Sequence, residues 1–171
     1  MVIIRHNLRM TSLSFILLGS VGLSGCASAP PAQRHVSQTV IDAQARESTQ
    51  TAPQRGLAIA RSLVGAPYRY GGADPRGFDC SGLVYYVYHK AGMEIPRTTT
   101  GQYRKSRRVA LSHLRPGDLL FFTISRDKPS HVGIYAGDGA FIHAPSSGKS
   151  VGYASLDDDY WRTRLIGTGR L

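Results

Sequence analysis

A hairpin near the C-terminal end constrains the fold of this chain more than any other feature of the sequence. Gly137-Asp138-Gly139 separates two largely apolar runs, His131 to Tyr135 and Ala140 to Ala144. Gly and Asp tolerate the positive φ angles of a tight β-turn, so this tripeptide between such runs is typical of a β-hairpin. The sequence therefore predicts two adjacent antiparallel strands here.

The segments before the hairpin are predicted to be helical, and those around it are predicted to be strands. Apolar periodicity indicates a helix over 54–64, and Asp79 and Thr98 are suited to cap two further helices. Three more strands are predicted, over 119–122, 151–154 and 165–169. Helices followed by a meander of strands predict an α+β fold, with N-terminal helices packed on an antiparallel β-sheet.

Residues 1–25 have the pattern of a secretory signal peptide. Arg5 and Arg9 precede an apolar run from Leu13 to Leu23, which is too short to span a bilayer. The alternative is a buried helix of the fold, which the glycines of the run and the polar tract after it disfavour. We expect the protein to be exported.

The apolar run ends in Leu23-Ser24-Gly25-Cys26, which resembles the bacterial lipobox. The resemblance implies cleavage before Cys26 and a diacylglycerol on its thiol, which anchors the chain because each buried CH₂ contributes about 0.8 kcal/mol. Ala27, where an Asp signals inner-membrane retention in Gram-negative bacteria, favours the outer membrane facing the periplasm. Residues 26–53 are predicted to form a flexible tether, and 54–171 the domain.

The charge balance is strongly basic, with 21 Lys and Arg against 11 Asp and Glu. Such a surface attracts anionic lipid, nucleic acid or carboxylate-bearing polymers. Arg107-Arg108 is an adjacent basic pair near the middle of the chain, but no nucleic-acid motif accompanies it. We therefore expect no nucleic-acid partner.

Cys80 is the candidate nucleophile. It lies where a loop is predicted to become a helix, in the segment Gly77 to Gly82. A helix N-terminus lowers the pKa of a thiol, and the free N–H groups of the first turn can hold a developing oxyanion. The alternatives are an inert buried cysteine and a disulfide with Cys26, for which lipidation is the better explanation.

The predicted hairpin supplies two histidines on one face of the sheet. Pairing Tyr135 with Gly139 sets His131 directly opposite His143, with Cβ atoms about 5 Å apart. His131 is then a general base for Cys80, and His143 orients its ring. The alternatives are two surface histidines and a zinc site, for which no metal-binding motif is present. We expect neither a metal nor a cofactor.

Several motifs together resemble the NlpC family of cell-wall endopeptidases. They are, in chain order, Pro67 to Gly72, Gly77 to Val84, Leu114 to Phe122, His131 to Tyr135 and Phe141 to Ala144. The resemblance implies a papain-like cysteine peptidase that hydrolyses amide bonds in peptidoglycan stem peptides. It assigns Cys80 as nucleophile, His131 as base and His143 as the third polar residue.

The same resemblance implies that Tyr68 lies near the oxyanion or substrate and that Asp79 and Ser81 line the cleft. Members cut either the D-alanyl–diaminopimelate crosslink or the γ-D-glutamyl–diaminopimelate bond. A flexible tether with no segment to narrow the cleft favours the crosslink. Two other functions are alternatives: a wall-binding module without turnover, and an acyltransferase that passes the acyl group to an amine.

The lipobox predicts the effect of one substitution. Cys26→Ser removes the thiol that carries the diacylglycerol, so it should abolish labelling of the full-length chain with a radioactive fatty acid. It should also move the protein out of the membrane fraction. Unchanged labelling of Cys26→Ser would contradict the assignment of residues 23–26 as a lipobox.

Overall fold

The computed structural model describes residues 50–124 and 128–171. The predicted signal peptide 1–25, Cys26 and most of the predicted tether 26–53 lie outside the described residues. Within the described part, no helix is long and apolar enough to cross a membrane.

The structure has the predicted α+β class, with helices packed on an antiparallel sheet, and this sheet has six strands. The helices are α1 (Ala52–Ser62), α2 (Cys80–Lys90), α3 (Thr99–Lys105) and α4 (Asp159–Arg162), with a 3₁₀ turn at Leu111–His113. The strands are β1 (Ala73–Asp74), β2 (Gly77–Phe78), β3 (Arg107–Arg108), β4 (Leu119–Phe122), β5 (His131–Gly137), β6 (Ala140–His143), β7 (Gly152–Ser155) and β8 (Leu165–Arg170). The sheet order is β3-β8-β4-β5-β6-β7, and β1 pairs with β2 separately.

Helix α1 begins earlier and ends earlier than the sequence indicated. A capping box between Thr51 and Gln54 starts the helix two residues before the predicted domain boundary at 54. The helix ends at Ser62, so Val64 does not continue its apolar face and is 43% exposed. That part of the prediction is wrong, whereas Leu57 and Ala60 are buried as expected.

Helix α2 forms the centre of the helical layer. Asp79 caps it as predicted, because its Oδ1 accepts a hydrogen bond from the Gly82 N–H at 2.6 Å. Its buried face packs on the sheet through Leu83, Val84, Val87 and Tyr88. The N-terminus of α2, with Cys80 as its first residue, is therefore held against the sheet by apolar burial along the rest of the helix.

Strand β4 divides the apolar side chains between the two faces of the sheet. Leu119 and Phe121 belong to the core under the helices, whereas Leu120 and Phe122 point to the other face. On that second face, Trp161 of α4 packs against the buried residues. The sequence did not predict α4, which has only one turn and is held by the Asp158 cap.

The predicted register of the hairpin is wrong. Tyr135 pairs with Phe141 instead of Gly139, and Ile134 pairs with Ile142. The turn is formed by Asp138 and Gly139, both with positive φ, and a bulge between Tyr135 and Gly137 adds to the displacement. The displacement along the strand is two residues, so the histidines still share a face but are diagonal neighbours.

Gly82 is a position where the fold admits no side chain. A Cβ there would lie 1.9 Å from the Gly72 carbonyl oxygen and 2.9 Å from the Arg97 guanidinium. Because the nearest atom belongs to the backbone, α2 must shift to accept Gly82→Ala. We expect this variant to lose about 2–4 kcal/mol of unfolding free energy.

Gly152→Ala is the matched control, because its Cβ would meet nothing closer than the Ser150 carbonyl oxygen at 3.8 Å. Chemical denaturation of both full-length variants measures the difference. Equal stabilities for Gly82→Ala and Gly152→Ala would contradict the close contact between α2 and the Gly72 loop.

Candidate active site

Cys80 is a free cysteine at the first position of α2. Its Sγ lies 3.8 Å from the Thr99 hydroxyl, and its side chain packs on the core under the helices. The thiol also interacts with the backbone of Val132, the residue after His131. The packing of α2 on β5 thus brings the predicted nucleophile next to the strand that carries the predicted base.

Burial dominates the ionisation of Cys80. Removal from water raises the pKa of the thiol, and the negative charge of Asp79 adds to that effect. Hydrogen bonding from Thr99 and from the backbone of Val132 and Ser81 acts in the opposite direction without reversing it. The resting group is therefore a neutral thiol at neutral pH.

The two histidines are bonded to each other although they are not directly opposed. Nε2 of His131 lies 2.9 Å from Nδ1 of His143, and the two rings are nearly perpendicular. A neutral His131 with its proton on Nε2 donates this bond and keeps a lone pair on Nδ1. That lone pair is what a general base for a neighbouring thiol requires.

Burial also keeps both histidines neutral. It lowers the pKa of His131 from its ordinary value of 6.5 to about 3, with a smaller contribution from His143. Burial and the charge of Lys149 lower the pKa of His143 to about 4. Trp161 covers the pair, with its ring centroid 5.3 Å from that of His131 and 4.8 Å from that of His143.

Asp79 joins the nucleophile helix to the loop before it. Its carboxylate accepts bonds from the Gly71 N–H at 3.0 Å and from both terminal nitrogens of Arg97, at 2.7 and 3.0 Å. Arg97 in turn donates to the Ser81 hydroxyl at 2.9 Å. Burial acts to raise the pKa of Asp79, but the bonds from Arg97 and Gly82 and the Arg97 charge outweigh it and hold the pKa below its ordinary value.

A groove of about 540 Å³ runs over the thiol, and we name it the cysteine groove. Its lining includes Tyr68, Asp79, Cys80, Ser81, Arg97 and Thr99. Burial raises the pKa of Tyr68, followed by the charges of Cys80 and Asp79, so its hydroxyl stays protonated as a donor. Asp79 and Ser81, predicted from the resemblance to line the cleft, and Tyr68, predicted to lie near the oxyanion or substrate, all line this groove.

A second groove, of about 390 Å³, lies beside the histidines. It is lined by His143, Lys149 and Trp161, among others.

In the described part of the chain, no group of three His, Cys, Asp or Glu side chains is arranged to hold a metal ion. The 2.9 Å bond joins the two histidines, and the Cys80 thiol interacts with the backbone of Val132, the residue after His131.

The profile of the NlpC/P60 family matches residues 65–170. The chain belongs to the NlpC/P60 family. Murein DD-endopeptidase MepH of Escherichia coli is 41% identical over 140 residues, which cover 79% of this chain and 51% of that relative. Probable peptidoglycan endopeptidase LytE of Bacillus subtilis is 41% identical over 114 residues, which cover 67% of this chain and 33% of that relative.

A solved structure of an NLP/P60 family protein similar to lipoprotein, from Staphylococcus aureus, superposes with a TM-score of 0.63 at 37% identity. It covers 70% of this chain and 41% of the solved chain. The α+β fold is thus the papain-like fold of this family. The chain spans about half the length of MepH and a third of LytE.

Two residues of the site were not identified from the sequence. Arg97 follows Pro96 in a loop whose path was not predicted, and nothing in the local pattern shows that it reaches Asp79, 18 positions earlier. Trp161 lies in α4, between the predicted strands 151–154 and 165–169. It is the single Trp of the chain, which is the one available signal for it.

The neutral, buried histidine pair predicts the dependence of stability on acid. Below about pH 6.5 the unfolded chain binds protons at both rings, whereas the folded chain does not until about pH 4 for His143. The free energy of unfolding should therefore fall as the pH falls through this window, by up to about 1.4 kcal/mol per pH unit for each ring. His143→Gln should remove one ring's share of that slope.

Chemical denaturation at pH 7, 6 and 5 measures the slope for each protein. The control is His89→Gln, because His89 is exposed at the end of α2 and should leave the slope unchanged. If wild type and His143→Gln lose stability equally between pH 6 and pH 5, the buried neutral state of His143 is contradicted.

Proposed function

We propose that the protein is a cysteine-type peptidoglycan endopeptidase that uses Cys80 as nucleophile and His131 as general base. The observation that carries this proposal is the 2.9 Å bond between His131 Nε2 and His143 Nδ1, on the strand against which the Cys80 thiol packs. MepH and LytE, named as murein and peptidoglycan endopeptidases, support the substrate class. A wall-binding module without turnover has no need of this arrangement.

The chemistry begins from a neutral pair. As the Cys80 sulfur attacks the amide carbon, the thiol proton passes to the free Nδ1 of His131, and His143 accepts the bond from Nε2 of the resulting imidazolium. His131 then gives the proton to the leaving amine, which departs and leaves an acyl-enzyme. Water attacks the thioester with His131 again as base, which releases the carboxylate product and restores the thiol.

The negative oxygen of each tetrahedral intermediate needs donors, and two are available beside Cys80. The Gly82 N–H donates to the Asp79 carboxylate, and the Leu83 N–H donates to the Asp79 carbonyl oxygen. The Cys80 N–H, in the same turn, has no hydrogen-bond partner within the described residues. The protonated Tyr68 hydroxyl lines the same groove and likewise has no partner among those residues. We propose these two as the oxyanion donors.

The bond we favour is the D-alanyl–diaminopimelate crosslink. MepH, the relative aligned over 79% of this chain, is named a DD-endopeptidase. The cysteine groove is open, with Tyr70 at its edge 90% exposed, which suits a polymeric substrate that approaches from the side. The γ-D-glutamyl–diaminopimelate bond is the second candidate, and it is the other bond that members of the family cut.

We further propose that a lipid on Cys26 anchors the protein to the outer membrane and that the domain faces the periplasm. Peptidoglycan is the partner in this proposal, and no nucleic acid, metal or cofactor takes part. The support is the signal peptide pattern of residues 1–25 and the lipobox that ends it.

Digestion of a purified crosslinked muropeptide dimer, followed by mass spectrometry, tests the function and the bond together. We expect two tetrapeptide monomers as products.

Cys80→Ser should reduce the rate of this hydrolysis to background without loss of fold, because serine is nearly isosteric but is a poor nucleophile in this site. His131→Ala should be slower than His143→Ala, since one residue transfers the proton and the other orients it.

Fragments that end at D-glutamate with the crosslink retained would show the γ-D-glutamyl bond to be the target. Unreduced hydrolysis by Cys80→Ser would overturn the thiol mechanism. Transfer of the acyl group to an added amine, with no hydrolysis in its absence, would identify an acyltransferase.

A further inference from the structure

The sheet has two functionally different ends. Phe122 pairs with His131 at one end of β4, so we name this the histidine end. Leu119 pairs with Ile134 and with Gly169 at the other end of β4, which we name the far end. Cys80 and both grooves of the active site belong to the histidine end.

A basic pocket of about 540 Å³ lies at the far end, beside the edge strand β3. We name it the arginine pocket. Its charged and ionisable lining consists of Arg107, Arg108, Arg115, Arg170 and His113, and none of its lining residues is acidic. Arg107 and Arg170 face each other as a strand pair, which is why four arginines meet here.

Two of these arginines are held in place by the fold. Arg170 donates to both carboxylate oxygens of the buried Asp118, each at 2.6 Å. Arg108 stacks on Tyr103, with its guanidinium carbon 3.3 Å from the ring centroid, and donates to the Tyr103 carbonyl at 2.8 Å. The fold therefore fixes the side chains of these two lining residues.

Arg107 and Arg115 are different. Both are exposed, and within the described residues neither guanidinium has a hydrogen-bond or ion-pair partner. Their donors are available to an anion, and the fork of a guanidinium matches two oxygens of a phosphate. The pocket thus combines two arginines that the fold fixes with two arginines that have no partner in the described part of the protein.

The chain enters the domain beside this pocket. A Cβ on Gly117 would lie 2.7 Å from the Pro53 carbonyl oxygen, so the start of α1 packs on the turn that follows Arg115. The neighbouring Asp118 is the partner of Arg170 in the pocket. The segment between the proposed lipid anchor at Cys26 and the domain therefore ends at the far end of the sheet.

We propose that the arginine pocket binds lipid phosphate groups of an anionic membrane surface, so that the histidine end faces away from the membrane. This proposal rests on the proposed anchor at Cys26, and it does not depend on the peptidase activity. If residues 26–53 form the flexible tether that the sequence predicts, the tether reaches about 30 Å on average, which allows contact of the far end with the membrane but does not enforce an orientation. The pocket supplies the orientation.

Charge and position together favour a membrane over the wall as the partner. Wall carboxylates would also bind arginine, but the substrate must reach Cys80 at the histidine end. A pocket at the far end, beside the incoming tether, faces the surface from which the tether starts. Each arginine near an anionic bilayer increases binding about fivefold, so Arg107 and Arg115 together contribute about 25-fold.

Vesicle binding of the full-length chain tests the proposal. The chain carries Cys26→Ser to prevent lipidation, and its partition is measured between neutral phosphatidylcholine vesicles and vesicles with about one-third phosphatidylglycerol, at low and physiological salt. Residues 1–49 are the same in every protein compared, so their contribution cancels between variants. The pocket variant adds Arg107→Gln and Arg115→Gln.

The control variant adds Arg76→Gln and Arg162→Gln, which remove the same charge from exposed positions outside the pocket. We expect the pocket variant to lose about 25-fold in its preference for anionic vesicles. We expect the control variant to change by less than about threefold. Both variants should hydrolyse a soluble muropeptide dimer like the parent if Cys80 is the nucleophile, and failure of that assay alone concerns the proposed function.

Equal losses in the two variants would overturn the proposal, because net charge alone would then explain the binding. An unchanged preference in the pocket variant would also overturn it. Isolated cell wall provides the third arm: loss of wall binding by the pocket variant, with vesicle binding retained, would assign the pocket to the wall instead of the membrane.

Discussion

The active site depends on the carboxylate of Asp79. This one group caps α2 through Gly82, accepts a bond from the Gly71 N–H and forms the ion pair with Arg97. The cap fixes where the helix begins, and therefore where Cys80 points. The bonds to Gly71 and Arg97 hold two loops of the cysteine groove against that helix. Asp79 thus positions Cys80 and the groove around it.

Apolar burial determines the charge state of the site. Phe122, Phe141 and Trp161 surround the histidines on the second face of the sheet, so neither ring is easily protonated. The thiol is subject to the same effect with opposite sign, since burial disfavours the thiolate. The raised pKa of the thiol and the lowered pKa values of the histidines have the same result, because each favours the uncharged form of its group. The two neutral histidines tolerate this burial because they are hydrogen-bonded to each other.

The sequence predicted those parts of the fold that depend on short-range chemistry. Asp79 and Thr98 cap their helices as expected, since a cap involves residues only three positions apart. The hairpin and its shared histidine face were also predictable, because the face depends on a period of two that the displacement preserved. The register of the hairpin was not predictable, because the bulge before Gly137 does not change the pattern of apolar residues.

Contacts between residues that are far apart in the sequence were not predictable in this way. The contacts of Arg97 with Asp79 and of Trp161 with the histidines depend on how the loops and α4 pack against the rest of the domain. A basic residue in a loop and a Trp near the C-terminal end have many possible partners, and one sequence cannot select among them. The arginine pocket has the same origin, because Arg170 and Arg107 meet only through the pairing of β3 with β8.

A neutral thiol has a further consequence for a protein that is exported, as we propose. Oxidants attack the thiolate much faster than the thiol, so a cysteine that rests as a thiolate is vulnerable in an oxidising compartment. Burial of Cys80 disfavours the thiolate, which in the mechanism we propose forms only when His131 takes the proton. Lipidation of Cys26 would also remove the one other cysteine with which Cys80 could form a disulfide. In that mechanism, the burial that makes a general base necessary also protects the Cys80 thiol from oxidation between turnovers.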